Sequence, residues 1–413
     1  MKMIDFKLNV VVAILMGVAT SSLAQNKAGS AYSMFGLGEL QNKATIQSQG
    51  MGFTSIGLNS PYWANSINPA ANTEVGGYYT HMFDFGIYYN QTTYTTSESS
   101  ENLSDGGLSQ MSYWFRFNNK WTGIVGIAPF SKVGYSIQKN NVVSSQGNLY
   151  DVKYSGSGGL NEIYFGQGYE VLPNFTLGAN LRFITGSILH QEEAVSTGSQ
   201  ESFLVSQRTY LHKLNLDFSL NYKIRREKFA INIGAIYDDK TSLNGNATTE
   251  LSDIDEETIY EEIEQNNDYT LPQKAGLGIS LVSNKFMLAA DVEFNEWSKV
   301  DMSNVDKLND TWRYAFGFEF TPNRQGLLYA SNISYRLGYY IENSYLDIDD
   351  TSFDKWGITA GLGLPLKTHG AINISYHRKF NGTTSNSLIY ETTNEVNLGI
   401  SIRDLWFARK KIK

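Results

Sequence analysis

The chain has 413 residues with 33 Lys and Arg against 41 Asp and Glu, a net charge of −8 that argues against non-specific nucleic-acid binding. It has no Cys, which excludes disulfides and thiolate metal sites. The 26 Tyr and 7 Trp suit the aromatic girdles of a membrane barrel, and a mean hydropathy of −0.30 fits a wall in which only alternate strand residues meet lipid.

Residues 1–24 read as a signal peptide. Lys2 and Lys7 give a positive start, Leu8 to Val18 is a short apolar stretch, and Ser22-Leu23-Ala24 is a small-residue cleavage site before Gln25. No later apolar run approaches the roughly 20 residues of a membrane helix. Residues 25–77 are Gly-rich and irregular, with Gly36, Gly38, Gly50, Gly52 and Gly57, and end in Asn65-Ser66-Ile67-Asn68-Pro69-Ala70-Ala71.

From there the period-2 pattern predicts 14 strands. They are Tyr79–Tyr89, Leu108–Phe117, Trp121–Ile137, Glu162–Val171, Phe175–Ile188, Tyr210–Ile224 and Phe229–Asp238. The second half is Lys274–Leu281, Phe286–Trp297, Thr311–Thr321, Ser331–Ile341, Lys355–Leu364, Ala371–Phe380 and Glu395–Trp406. Short links such as Leu172-Pro173-Asn174 and Lys367–Gly370 alternate with long ones such as Gln91–Gly107, Gln138–Asn161, Leu189–Thr209 and Asp239–Gln273. That rhythm is the one outer-membrane barrels show, with short periplasmic turns and long extracellular loops. An even strand number places both termini in the periplasm. Residues 408–413 form a basic periplasmic tail. The expected fold is all-β, a 14-stranded antiparallel transmembrane β-barrel over residues 78–407.

Alternation assigns the faces. Trp312, Tyr314, Phe316, Phe318 and Phe320 share the lipid side, as do Phe286, Leu288, Val396, Leu398, Ile400 and Ile402. An arginine at Ile400 is therefore expected to impair insertion, and one at lumen-facing Ser401 to be milder. A charge on the lipid face costs about 2–4 kcal/mol at mid-membrane, so Arg116, Arg182, Asp291, Glu293, Arg313 and Arg336 belong in the lumen. Two readings of these charges stay open, a salt-bridged filling and a polar substrate path, with Glu293–Arg313 or Glu293–Arg336 as candidate pairs. The densest acidic loop holds Asp253, Asp255, Glu256, Glu257, Glu261 and Glu262, and reads as a partner-facing surface or a solvated one. Asp347, Asp349, Asp350 and Asp354 are a weak Ca²⁺ candidate without the Gly turn and terminal Glu of an EF-hand, so a solvated loop is the preferred reading and no metal is assigned. No Ser/His/Asp set emerges, and neither an enzyme nor a cofactor is expected.

Tyr32-Ser33-Met34-Phe35-Gly36-Leu37-Gly38, Met51-Gly52-Phe53 and Asn68-Pro69-Ala70 resemble the hatch of the FadL/OmpP1/TodX family of outer-membrane barrels, in particular its Bacteroidota-like members. The resemblance implies that residues 25–77 form an N-terminal hatch plugging the lumen, closed by Asn68, Pro69 and Ala70. It also implies a kinked third strand that opens the wall sideways, which points to Ile124, Ala128, Pro129 and Phe130. The other reading of Pro129 is the end of the membrane span, since Pro cannot donate to a ladder. Two functions follow. One is an accessory subunit of an outer-membrane protein assembly or secretion machine, acting through long extracellular loops. The alternative is a channel for long-chain fatty acid-type hydrophobic small molecules. The polar loops favour the first. The expected partners are outer-membrane lipids and lipopolysaccharide, other outer-membrane or surface proteins and, under the alternative, a hydrophobic small-molecule ligand. The expected location is the bacterial outer membrane.

Overall fold

The computed structural model describes residues 29–404 apart from 76–78, 145–147, 198–201, 254–257, 267–268, 301, 303–304, 306, 325, 349 and 367–369. The expected signal peptide and tail, the middle of the Lys367–Gly370 link and the candidates Asp255, Glu256, Glu257 and Asp349 lie outside the described residues.

The strands in chain order begin with β1 (Glu39–Leu40), β2 (His81–Thr95), β3 (Ser100–Asn118), β4 (Trp121–Pro129), β5 (Ser131–Val143), β6 (Leu149–Leu172) and β7 (Phe175–Ser196). Next are β8 (Ser202–Arg225), β9 (Phe229–Asp238), β10 (Thr241–Ser242), β11 (Asn244–Ser252), β12 (Thr258–Asn266) and β13 (Thr270–Leu271). The last are β14 (Lys274–Ser283), β15 (Phe286–Asn295), β16 (Thr311–Phe320), β17 (Ser334–Asn343), β18 (Asp354–Leu366), β19 (Gly370–Asn381) and β20 (Tyr390–Asp404). With β4 and β5 counted as one broken strand, β2 to β9 and β14 to β20 form a closed antiparallel barrel of 14 strands. Closure is by β20 against β2, in register from His81–Asp404 to Thr95–Tyr390.

The alternation is carried by the pleat, which sends successive side chains to opposite faces. In β16 the aromatic residues Trp312 to Phe320 are exposed and Thr311, Arg313, Ala315, Gly317 and Glu319 are buried. An apolar wall exposed on the outside and sealed by backbone pairing is what a bilayer admits. Two aromatic girdles edge it. Phe117 and Trp121, with centroids 4.2 Å apart, mark the short-turn end, and Phe294–Trp312 at 4.7 Å marks the long-loop end.

On β20, Val396, Leu398 and Ile402 are exposed and Ile400 lies between them on the same face. Ile400→Arg should cost about 2–4 kcal/mol near mid-membrane. A heat-modifiability gel that shows an unchanged folded fraction would refute the outward register. Ser401 requires a correction. Its hydroxyl is buried against Asp84, Gln47 at 2.9 Å and Asn373 at 3.3 Å, so there is no free lumen for a longer side chain. Ser401→Arg is therefore not expected to be mild, because overpacking a filled site costs about 1–3 kcal/mol.

The long links also differ from expectation. Gln91–Gly107, Gln138–Asn161 and Leu189–Thr209 are largely strand, extending β2–β3, β5–β6 and β7–β8 well past the roughly 9–11 residues that span a bilayer. Their polar residues lack an apolar stripe, yet backbone pairing needs none. Above Asp217, β8 leaves β9 and pairs with β11, which pairs with β12. The result is a raised sheet, β5–β6–β7–β8–β11–β12.

Candidate functional site in the plugged lumen

Residues 29–75 occupy the lumen, and only Gln41 and Asn42 among them are exposed. An asparagine network shapes the segment. Asn65 Nδ2 donates to the carbonyls of Ser55 and Leu58, and Asn65 Oδ1 accepts the N–H groups of Ile67 and Asn68. Asn68 Nδ2 reaches the carbonyls of Ile56 at 2.7 Å and Leu220 at 3.1 Å, joining segment to wall. Pro69 then opens a 3₁₀ turn, Pro69–Glu74, where its missing N–H and fixed φ are tolerated. Ala70 and Pro69 press on β6 and β7. A Cβ at Gly168 would stand 2.3 Å from the Pro69 carbonyl oxygen, and one at Gly178 2.6 Å from Ala70 N. Only glycine allows this approach.

Asp291 is the strongest anchor. Its carboxylate accepts three consecutive backbone N–H groups, from Ser55 at 2.5 Å, Ile56 at 2.8 Å and Gly57 at 3.2 Å. Opposite it, Arg313 donates to the Gly52 carbonyl at 3.1 Å. Gly52 itself has φ +68° and is packed against the backbone of Phe316 and Tyr339.

Most of the other charges assigned to the lumen are in ion pairs among the described residues, though Glu293 and Arg313 are not paired with each other. Arg182 is a hub for Glu162 at 2.8 Å, Asp238 at 2.6 Å and Asp217 at 3.5 Å, and Lys43 adds to Glu162 at 3.3 Å. Arg336 takes Glu319 at 2.7 Å, its register neighbour across β16–β17, and Arg324 joins the same carboxylate. Glu293 stands opposite Arg313 in register, but its ion pair is with Lys274 at 4.0 Å, while Arg313 turns to Glu342 at 4.0 Å. Arg116 donates to the Val75 carbonyl at the short-turn end. Glu39 and Lys379 form a further pair. Burial would raise the Glu39 carboxyl, but Lys379, Lys355 and Lys132 outweigh it and hold the group below the usual carboxylate range.

Two apolar clusters close the ends. Met51, Leu58, Trp63, Met82, Trp114 and Ile124 pack at the short-turn end. At the other, Tyr32 and Leu37 meet Trp297, Met302, Tyr345 and Phe353 from loops folded over the opening. Trp297 stacks on Tyr345 at 4.6 Å, and Tyr345 Oη donates to the Gly38 carbonyl. Between the clusters lies a cavity of about 310 Å³ whose lining includes Glu39, Lys43, Asp217, Glu293, Arg313 and Lys379.

The wall changes at Phe130. Pairing of β3 with β4 ends at Met111–Ile127, and among the described residues no backbone pairing joins β3 to β5. Instead β5 accepts β1 of the lumen segment, Glu39 opposite Lys132 and Leu40 opposite Ser131. Ile124 and Ala128 are fully buried, Pro129 ends β4, and Phe130 packs on the loop-end cluster. Lys132 crosses the break to Asp105 and lies 3.4 Å from Tyr88 Oη.

The acidic hairpin presents Glu261 and Glu262 on β12, exposed, with Asp253 just past β11. Asp347 and Asp350 share the Lys307 ammonium at 2.6 and 3.8 Å, and Asp354 starts β18 outside that pair. Lys43, Glu39, Lys274 and Glu391 were not singled out from sequence. The partners of Lys43, Glu39 and Glu391 lie far off in the chain, where no spacing rule reports them, and Lys274 meets Glu293 across the β14–β15 hairpin.

The barrel is similar to the toluene transporter TodX of P. putida, with 16% identity, a TM-score of 0.62, and coverage of 89% of this chain and 99% of that one. The toluene transporter TbuX of Ralstonia pickettii gives 15% identity and 0.62 over 88% and 99%. At these identities the likeness concerns the fold. No curated protein matches by sequence. A family profile described as BamG matches residues 3–413.

Proposed function

Because the chain belongs to the BamG family, we propose that it is a non-enzymatic accessory barrel of an outer-membrane protein assembly or secretion machine. The family's name points towards assembly partners. One observation carries the reading: the sheet β5–β6–β7–β8–β11–β12 rises beyond the span and ends in β12, which among the described residues pairs only with β11. Ile259, Tyr260 and Ile263 on β12 are exposed, beside Glu261, Glu262 and Glu264. An unpaired edge with exposed apolar side chains is a template for another strand, and its acidity favours a basic one.

In this reading residues 1–24 are the signal, 25–77 the hatch, 78–407 the barrel and 408–413 the tail, with both termini periplasmic and the long loops outside. Asn68, Pro69 and Ala70 seat the hatch, Arg116, Asp291 and Arg313 hold it by hydrogen bonds, and Arg182, Glu293 and Arg336 pair with charges of the surrounding wall.

The test is purification in mild detergent of the whole chain and of a form in which Thr241–Leu271 is replaced by a short Gly-Ser link. A barrel-assembly or secretion component should co-purify in fixed ratio with the first and be lost from the second, while both remain heat-modifiable. Retention by both, or recovery by neither, would overturn the reading.

The lapse in pairing between β3 and β5 favours the second reading, a channel whose side opening lies among Ile124, Ala128, Pro129 and Phe130. Uptake assays with toluene separate the two. A channel speeds entry over a deletion strain, and an accessory barrel leaves it unchanged.

A further inference from the structure

The outer wall carries a second feature that the lumen does not use. The lipid-facing side chains of β19 and β20 are apolar up to the register pair Tyr376–Val396, and the next outward pair is Arg378–Asn394. Arg378 is exposed on a face where a charge at mid-membrane would cost about 2–4 kcal/mol. Among the described residues no carboxylate pairs with it. Its guanidinium turns towards the loop end instead, 5.4 Å from the ring centroid of Phe380. This is the snorkelling posture of a basic residue at the edge of the hydrocarbon layer.

Beside it is a crevice of about 540 Å³ between Tyr339, Ile341, Trp356 and Phe380, with Ser352 and Thr383 among its polar groups. Trp356 and Phe380 stack at 4.0 Å, and Tyr339 adds a third ring 6.4 Å from Trp356. Below the crevice the exposed Ile358, Tyr376 and Val396 continue the apolar belt. The lining holds one carboxylate, Asp354, four residues before Ile358, the register partner of Arg378. The guanidinium lies over Phe380, the register partner of Trp356, and among the described residues it makes no ion pair with Asp354 two residues further on, so its donors stay open to an anion.

We infer that this crevice binds the headgroup junction of a phosphate-bearing membrane lipid of the leaflet at the long-loop end. The phosphate takes the Arg378 fork, which presents parallel N–H donors to phosphate oxygens. The backbone of the lipid rests in the aromatic crevice, where amphipathic rings suit an interface with one apolar and one wet side. The acyl chains run down over Ile358, Tyr376 and Val396. The wall is already in contact with lipid, so the site is continuous with that interface, and it does not depend on whether the barrel serves a machine or a solute.

The test is native mass spectrometry of the full chain in detergent, titrated in separate arms with phosphatidylglycerol, lipid A and the phosphate-free diacylglycerol. A one-to-one adduct is expected with at least one phosphate lipid, and the tighter of the two identifies the source. Arg378→Gln should weaken that adduct at least tenfold, and Arg378→Lys less, because charge remains and the fork is lost. Trp356→Leu should weaken it as well, with folding checked by heat modifiability. Equal adducts for the wild type and Arg378→Gln would overturn the site, as would diacylglycerol binding as tightly as the phosphate lipids. A dimer of the chain in place of the adduct, broken by Trp356→Leu, would also overturn it.

Discussion

Replacing Arg182 by Met should destabilise the barrel by about 3–5 kcal/mol, the range seen when one partner of a buried ion pair is removed. The guanidinium joins carboxylates from three strands, Glu162 on β6, Asp217 on β8 and Asp238 on β9. Without it Asp217 and Asp238 face each other across the β8–β9 register with no cation between them, and Glu162 keeps only Lys43. The measurement is the urea midpoint for unfolding from lipid vesicles, read by gel mobility. Adding Asp238→Asn to Arg182→Met should recover part of the loss, because the cost arises from stranded charge and not from missing volume. An unchanged midpoint in the single variant, or no recovery in the double, would show that the hub does not hold the wall.

Asp291→Ala should release the lumen segment while leaving the barrel closed. Three backbone donors, from Ser55, Ile56 and Gly57, lose their acceptor together. An unsatisfied buried donor costs about 1–3 kcal/mol, so the local loss is several kcal/mol even with partial rehydration. The segment's other ties remain, through Arg313 to Gly52 and Asn68 to Leu220, and the wall's own pairing is untouched. Planar-bilayer recordings should show a new ion conductance, and protease should cut within residues 29–75, with heat modifiability retained. Asp291→Asn should fall between, since an amide oxygen still accepts but without charge. Wild-type conductance and protection in the alanine variant would mean that the anchor is not at Asp291.

The wall was legible in the residues because alternation is a local signal. The burial of β16 follows Thr311 to Phe320 one residue at a time, and the bounds of β9, Phe229–Asp238, agree at both ends. The sequence predicts one third strand, Trp121–Ile137, with a kink or a span end at Pro129, but not that β5 takes β1 as its partner beyond Phe130. Nothing local reports that exchange of partners. The raised ribbons were missed for a related reason. Their Ser, Thr, Asn and Gly residues carry no apolar stripe, while their ladders are made by backbone groups that every residue has. Inward charges could be placed on the lumen side, but not matched. Glu293 and Arg313 are true register neighbours, yet Lys274 and Glu342 intervene from the adjoining strands. The lumen segment showed its glycines and its Asn-Pro-Ala stretch, whereas its anchors match no motif and the strongest, Asp291, lies 236 positions from Ser55.

The enclosed segment also sets an order of events. Ser30 is hydrogen-bonded to Glu391, 361 positions further along, and Gln47 to Ser401. A stretch that precedes every strand of the barrel is thus gripped by the barrel's last strand. The ring is complete only when β20 meets β2, and by then nearly every residue from 29 to 75 has to be inside, because the finished lumen leaves no route for so buried a chain. Such distant contacts make closure slow, and until it happens β2 and β20 are open edges that invite mispairing. A rearranged gene that moved the segment behind β20 would ask a finished ring to swallow its own filling. The natural gene order lets the wall be wrapped around a template that is already there.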